Sequence, residues 1–143
     1  SRMMKKGDIL LLGTDLVKPE ALLHAAYNDG RGVTAAFNRN ILNTVNEMIA
    51  SDFQEDDFEH LAFFSKEKSR IEMHLVARRD LSIQSPYLSE PIRIQKGEAI
   101  HTENSHKYSR EHIREMAAAC DLELIQTHTD ERGWFALSEF QRV

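Results

Sequence analysis

The chain has 143 residues, of which 41% are hydrophobic and 29% are charged, as is usual for a globular protein. The formal net charge is -5 and the basic residues are interleaved with acids, so we expect no nucleic-acid partner. No apolar run is long enough to span a membrane and no signal peptide is visible, which makes a membrane protein unexpected. We expect one region, residues 3–143, in the cytoplasm, with Ser1 and Arg2 left outside it.

The first third of the chain predicts an α/β fold. Residues 7–13 form an unbroken apolar run, which is typical of a parallel strand buried on both faces. Pro19 and Glu20 mark the start of a helix that is predicted over residues 21–27. The clearest helix covers residues 33–49. Its expected buried face consists of apolar side chains spaced by threes and fours: Phe37, Ile41, Leu42, Val45, Met48 and Ile49.

The rest of the chain is predicted to be mainly antiparallel strands. They cover residues 58–64, 70–78, 80–84, 92–94 and 99–107, with a closing hairpin over residues 122–128 and 134–140. Ile71, Met73 and Leu75 alternate with polar residues, so one face of their strand should be buried. Ser109 should cap a helix that ends near Ala119. With only one βα unit, the chain resembles the later part of a larger α/β fold with an antiparallel extension.

The placement of cysteine and histidine predicts neither a disulfide nor a metal site. Cys120 is the lone cysteine and, at the end of a predicted helix, is expected to be a small buried thiol. The seven histidines show no helical H-x-x-x-H or mixed Cys/His spacing. His101 and His106 should lie on opposite faces of a strand. We therefore assign no metal ligand and no catalytic residue.

The segment G-E-A-I-H-T-E-N-S-H-K-Y, residues 97–108, carries the clearest functional signal. Strand alternation would place Glu103 and Ser105 on one face. His101 and Lys107 would share that face. A carboxylate and a hydroxyl two residues apart can hold both nitrogens of an imidazole. From alternation alone, the simpler interpretation is a solvated edge strand with polar side chains.

Four stretches carry a resemblance to a known family. They are G-D-I-L-L-L-G-T-D-L-V-K-P (residues 7–19), A-A-Y-N-D-G-R-G-V-T-A-A-F-N-R-N-I-L (25–42), F-E-H-L-A with R-I-E-M-H-L (58–75), and the segment 97–108. Their order and spacing resemble the C-terminal half of the histidine-specific, S-adenosylmethionine-dependent methyltransferases, which trimethylate the α-amino group of histidine in ergothioneine biosynthesis. The closing T-D-E-R-G-W-F-A-L-S also matches. The resemblance implies part of a Rossmann-like methyltransferase sheet with an antiparallel, β-rich substrate-binding extension.

The resemblance implies substrate-binding roles for four side chains. Tyr27 matches a tyrosine that binds the substrate carboxylate, and Met73 matches an apolar residue that borders the pocket. Glu103 and Ser105 match the pair that holds the substrate imidazole. Without the resemblance, Tyr27 would be an aromatic residue packed on the core at a helix end, and Met73 would be core filler.

The resemblance also implies S-adenosylmethionine as the cofactor of the complete enzyme and a histidine-like amino acid as its substrate. The family's glycine-rich cofactor loop lies upstream of the matched part, and G-R-G at residues 30–32 follows a predicted helix, not a strand. We therefore expect the substrate-recognition half of an amino-acid N-methyltransferase, inactive alone and without cofactor-binding residues. The alternative is a stand-alone, non-catalytic module that binds an amino acid or serves in assembly. The apolar first strand favours a homo-oligomer of the isolated chain.

Overall fold

The computed structural model describes residues 3–143, so the expectation for Ser1 and Arg2 lies outside the described residues. In chain order the elements are β1 Ile9–Asp15, α1 Glu20–Tyr27, α2 Val33–Arg39, α3 Ile41–Ile49, β2 Phe58–Ser65, β3 Arg70–Ala77, β4 Leu81–Ile83, β5 Ile92–Ile94, β6 Ala99–His106, α4 Arg110–Ala119, β7 Leu122–Thr129 and β8 Phe135–Arg142. The described residues fold into two compact units. No helix in this part of the chain is long and apolar enough to cross a membrane. The single region expected over residues 3–143 stays a prediction.

The first compact unit comprises the chain up to Pro19, the segment Glu67–Ser69 and His106–Val143. Its three-stranded sheet has the order β1-β8-β7, and both outer strands run antiparallel to β8. Ile113 of α4 and Phe140 of β8 share a buried apolar cluster, so α4 covers one face of this sheet. The predicted closing hairpin is confirmed.

Strand β1 is not buried on both faces, contrary to the prediction from its unbroken apolar run. Leu10 and Leu12 pack against the buried cluster, whereas Ile9 and Leu11 are 50% and 61% exposed. Consecutive aliphatic residues satisfy the pattern of a doubly buried strand, but burial of the second face requires a partner that the run itself does not encode. The protein is a mixed α/β protein with antiparallel sheets, and its Rossmann-like character stays a prediction.

The second compact unit comprises Glu20–Lys66 and Arg70–Ser105. It contains a three-stranded sheet in the order β2-β3-β6 and a two-stranded sheet of β4 and β5. The predicted buried face of β3 is confirmed, since Ile71, Met73 and Leu75 are each at most 2% exposed, but burial does not alternate strictly because Glu72 is buried as well. Helices α1 and α2 contact β2, so this sheet carries the two helices that lie next to the candidate site.

The helix predicted over residues 33–49 is two helices, α2 and α3, that meet at Asn40. Phe37 and Met48, which belonged to the expected buried face, are 64% and 75% exposed. The buried residue of α2 is Asn38 instead, at 3% exposure. Because the side chain of Asn38 turns toward the sheet to make hydrogen bonds, its neighbour Phe37 faces solvent. Leu42 of the expected face is buried and Val45 packs against its cluster, so periodicity predicted the helical segment and part of its buried face.

The ends of α4 confirm one prediction and overturn another. Ser109 accepts a hydrogen bond from the backbone N–H of His112 at 3.0 Å, which is the predicted N-terminal cap. Cys120 was expected to be buried, but it is exposed. The helix ends at Ala119, so Cys120 lies beyond the stripe of residues that α4 buries.

Candidate functional site

Two of the four side chains implied by the resemblance form a hydrogen bond with each other. Tyr27 is the last residue of α1, and Ser105 lies near the end of β6, 78 positions further along the chain. The Tyr27 hydroxyl donates to Ser105 Oγ at 2.7 Å in a partly buried environment. A hydroxyl group has one hydrogen and two lone pairs, so Ser105 Oγ directs its own hydrogen to a group other than Tyr27.

The third residue, Met73, belongs to the core next to Tyr27. Met73 is 2% exposed and shares a buried cluster with Leu23, Ala62 and Ile71, against which Tyr27 packs. Met73 and the Tyr27 ring therefore pack in or against the core, as predicted for them without the resemblance. The hydroxyl of Tyr27 nevertheless makes a polar contact, as is usual for a tyrosine with an apolar body and a polar tip.

The fourth residue, Glu103, is exposed and borders a groove of about 190 Å³. The groove is lined by residues of α2, of α3 and of β6, together with the residue between the two helices: Phe37, Asn38, Asn40, Ile41, Thr44, Thr102 and Glu103. Carboxylate, amide and hydroxyl groups therefore lie beside apolar side chains. This mixed lining is typical of small-molecule sites.

The common face predicted for Glu103 and Ser105, with His101 and Lys107, stays a prediction. His101 Nε2 lies 2.9 Å from Asn104 Oδ1, although strict alternation would put these two residues on opposite faces. Two exposed residues follow one another at Glu103 and Asn104, so exposure does not alternate strictly there. Glu103 is exposed and Ser105 is half-buried.

A hydrogen-bonded amide next to the site, together with the histidine it contacts, links three strands and two helices. Asn38 Nδ2 donates to the backbone carbonyl of His74 at 3.0 Å and lies 3.0 Å from His60 Nδ1. Thr102 donates to Asn38 Oδ1 at 2.6 Å. His60 Nε2 lies 2.9 Å from the carbonyl oxygen of Tyr27. Neither Asn38 nor His60 was singled out from the sequence, where a polar residue on a helix or strand normally indicates a surface position.

Three potential metal ligands, Glu72, His74 and His101, lie together on the β2-β3-β6 sheet with ligand atoms within 4.8 Å of one another. We call this group the histidine–glutamate stack, because its two imidazole rings stack at 4.6 Å with an interplanar angle of 17°. Imidazole lone pairs lie in the ring plane, so two nearly parallel rings cannot both point at one ion. Arg70 Nη2 also donates to Glu72 Oε1 at 2.7 Å. The stack is therefore not a preformed metal centre.

The loop between α1 and α2 is fixed by a carboxylate at the start of α2. Asp29 accepts hydrogen bonds from the backbone N–H groups of Thr34 and Val33 at 2.9 and 3.0 Å. These bonds, with that from Thr34 the largest cause, lower the pKa of Asp29 from 3.8 to about 2. The loop therefore holds the end of α1, including Tyr27, beside the start of α2.

The residues described here do not fit S-adenosylmethionine. In dinucleotide-binding α/β folds the cofactor lies on a glycine-rich turn between a strand and a helix. Gly30 and Gly32 instead lie between two helices, and Gly32 begins α2 with φ 70°. Asp15, the acidic residue at the end of β1, already pairs with Lys18 and Lys107. The glycine-rich turn and a free acidic residue at a strand end are therefore not found among residues 3–143 at these positions.

A family model and three relatives each match nearly the whole length of this chain. A family model for histidine-specific, S-adenosylmethionine-dependent methyltransferases matches residues 1–142. A histidine N-alpha-methyltransferase of Mycolicibacterium smegmatis is 44% identical over 137 residues, covering 94% of this chain and 42% of that protein. One of Mycobacterium tuberculosis is 42% identical over 136 residues, covering 95% and 42%. Ergothioneine biosynthesis protein 1 of Neurospora crassa is 28% identical over 137 residues, covering 92% and 15%.

The match extends over almost all of this chain but over less than half of each of these relatives. The similarity therefore concerns one part of the relatives, and their activity as whole proteins is not carried over by it. The resemblance found in the sequence is confirmed at the level of the family. The chain belongs to the family of histidine-specific, S-adenosylmethionine-dependent methyltransferases.

Proposed function

We propose that this chain supplies the histidine-binding part of a methyltransferase that acts on the α-amino group of histidine. The hydrogen bond between Tyr27 and Ser105 carries the proposal, because it joins the residues expected to bind the two ends of the amino acid. The names of the relatives from Mycolicibacterium smegmatis and Mycobacterium tuberculosis support histidine as the substrate.

In this proposal Glu103 and Ser105 recognise the imidazole ring. The Glu103 carboxylate accepts from one ring N–H, and the Ser105 hydroxyl binds the other ring nitrogen. An indole or phenyl ring cannot satisfy both groups. A polar group that is buried by a ligand and left unpaired costs about 1–3 kcal/mol, which would disfavour other aromatic amino acids.

Tyr27 binds the substrate carboxylate by exchanging one hydrogen bond for another. Its hydroxyl donates to Ser105 in the structure. On substrate binding the Tyr27 hydroxyl turns to the carboxylate, and the Ser105 lone pair that accepted from Tyr27 can accept from a ring N–H instead. A hydrogen bond to an ionised acceptor is roughly twice as strong as one between neutral groups, so the exchange is favourable.

The contribution of these residues to the reaction is to fix the position of the amine. S-adenosylmethionine, when bound in the complete enzyme, would supply the methyl group, and the α-amino group of histidine would have to be deprotonated to offer its lone pair. Binding both ends of histidine leaves the α-amino group between them in one orientation. Such positioning is worth up to ~7–11 kcal/mol in favourable intramolecular reactions.

The test uses the complete protein that carries this chain and compares kcat/KM for histidine and for aromatic amino acids. Glu103→Ala should lower kcat/KM for histidine by roughly 10- to 100-fold, the effect of losing a hydrogen bond to a charged group. The values for aromatic amino acids should change little. Glu59→Ala, which removes an exposed carboxylate from β2, is the matched control. Equal losses on all substrates would contradict imidazole recognition by Glu103.

The second candidate is a module that binds an amino acid without catalysis. It is favoured by one observation, namely that the described residues do not fit the cofactor. In calorimetry of the isolated chain, this candidate predicts histidine binding that S-adenosylmethionine does not change. It also predicts that the complete protein transfers no methyl group to histidine. Methyl transfer by the complete protein would exclude it.

A further inference from the structure

We propose that His60 is a positioning residue for Tyr27 and that Asn38 holds it in one tautomer. This inference rests on the proposed function of Tyr27. His60 touches neither the proposed substrate nor a reacting atom, so its effect is exerted through the main chain of Tyr27. Four hydrogen-bonding contacts connect five residues in a series that leaves β6 at its first member and returns to β6 at its last: Thr102, Asn38, His60, Tyr27 and Ser105.

The orientation of the Asn38 amide follows from its neighbours. The nitrogen that faces His60 Nδ1 also lies 3.0 Å from the backbone carbonyl oxygen of His74, which can only accept a hydrogen bond. Rotating the amide by half a turn would place Oδ1 against that carbonyl and leave two acceptors in contact. The amide nitrogen must therefore face His60, and Oδ1 faces the Thr102 hydroxyl at 2.6 Å, whose single hydrogen is shared with the carbonyl oxygen of Met73 at 2.9 Å.

This orientation selects the tautomer of His60. Asn38 Nδ2 can only donate, so His60 Nδ1 must accept and carries no hydrogen. The neutral ring then has its hydrogen on Nε2, which lies 2.9 Å from the carbonyl oxygen of Tyr27. That oxygen can only accept. The two ends of the ring independently require the same tautomer.

The Tyr27 carbonyl is a group that needs such a donor. It belongs to the last residue of α1, where carbonyl groups have no partner within the helix. The next residue, Asn28, donates from its side chain to the carbonyl oxygen of Ala62 on β2 at 3.1 Å. His60 and Asn28 together fix the end of α1 to β2. The position of the Tyr27 hydroxyl beside Ser105 depends on this attachment.

The first experiment reads the tautomer directly in the chain. Nitrogen NMR of protein labelled with 15N-histidine should show His60 with a protonated Nε2 and an unprotonated Nδ1. The His60→Gln spectrum identifies the resonance, and His24→Gln, which changes an exposed histidine on α1, is the matched control. Asn38→Ala should abolish the preference. A protonated Nδ1 in the wild type, or an unchanged tautomer in Asn38→Ala, would overturn the inference.

The second experiment measures KM and kcat for histidine in the complete protein. His60→Gln can place an amide N–H near the position of Nε2–H and should restore the contact to Tyr27. The shorter His60→Asn cannot, and should raise KM by about tenfold, the equivalent of one hydrogen bond, with little change in kcat. Equal KM values in both variants, or a loss of kcat together with a lower Tm, would overturn the positioning role. A complete wild-type protein that shows the expected tautomer but does not methylate histidine would refute the proposed function and the effect of His60 on substrate binding. The tautomer of His60 would still be as inferred.

Discussion

The hydrogen bond between Tyr27 and Ser105 should be measurable as a coupling free energy in the unfolding of the chain. Tyr27→Phe removes the donor and keeps the ring, and Ser105→Ala removes the acceptor with a minimal change in volume. The bond is 2.7 Å long, uncharged and partly buried, so its net contribution should be about 0.5–1.5 kcal/mol. Each single variant should lower the free energy of unfolding by at least that amount.

The assay is urea unfolding of the wild type, the two single variants and the double variant. The destabilisation in the double variant should be smaller than the sum of the two single effects by about 1 kcal/mol, because the bond can be lost only once. The slope of the unfolding free energy against urea should stay constant, as expected when only stability changes. Tyr87→Phe is a control, since Tyr87 is 74% exposed and surface changes of this kind stay within about 0.5 kcal/mol.

Additive effects would refute the reasoning. A coupling free energy near zero would mean that the two hydroxyl groups do not contact each other in solution. Tyr27 and Ser105 would then not form one binding site, and the histidine-binding proposal would lose the observation that carries it. A coupling that disappears when histidine is added would agree with the proposed exchange of hydrogen bonds.

Three further predictions concern the rest of the molecule. The pKa of Asp29 is lower in the folded chain (about 2) than its ordinary 3.8, so its contribution to stability is complete above 3.8 and is lost as the pH falls toward 2. Asp29→Asn should remove this step from a plot of stability against pH, and an unchanged plot would contradict it. The isolated chain should self-associate through the exposed apolar face of β1, so light scattering should show a smaller mass after Ile9→Lys with Leu11→Lys, and a monomeric wild type would disprove this. Zinc titration of the histidine–glutamate stack should show no tight binding, and sub-micromolar affinity would show that the rings reorient.

The elements that were predicted correctly are those whose signals are local in sequence. The closing hairpin follows from two strand patterns around a turn, in which Asp130 accepts from the backbone N–H of Trp134 at 2.6 Å. The prediction for strand β1 was only half correct, because burial of its second face requires a partner that no local pattern encodes. The same reason explains Phe37, whose exposure is decided by the hydrogen bonds of its neighbour Asn38.

The sequence motif identified residues of the candidate site but did not show which of them contact each other. Glu103 and Ser105 lie in one short segment, and the contact between Tyr27 and Ser105 spans 78 positions that no local pattern relates. Asn38 and His60 were missed for a different reason. A buried polar residue is indistinguishable in sequence from an exposed one until its partners are known, and the partners of Asn38 lie on three different strands.

The series of hydrogen bonds from Thr102 to Ser105 also has a consequence for the motions of the second compact unit. Because it joins β6, α2, β2 and the end of α1, none of these segments can separate from its neighbours without breaking at least one of these bonds. Segments linked in this way open as one cooperative unit, which hydrogen exchange detects as a shared opening free energy. The amides around Tyr27 at the end of α1 should therefore exchange at the slow rate of the β2 strand instead of fraying like an ordinary helix terminus.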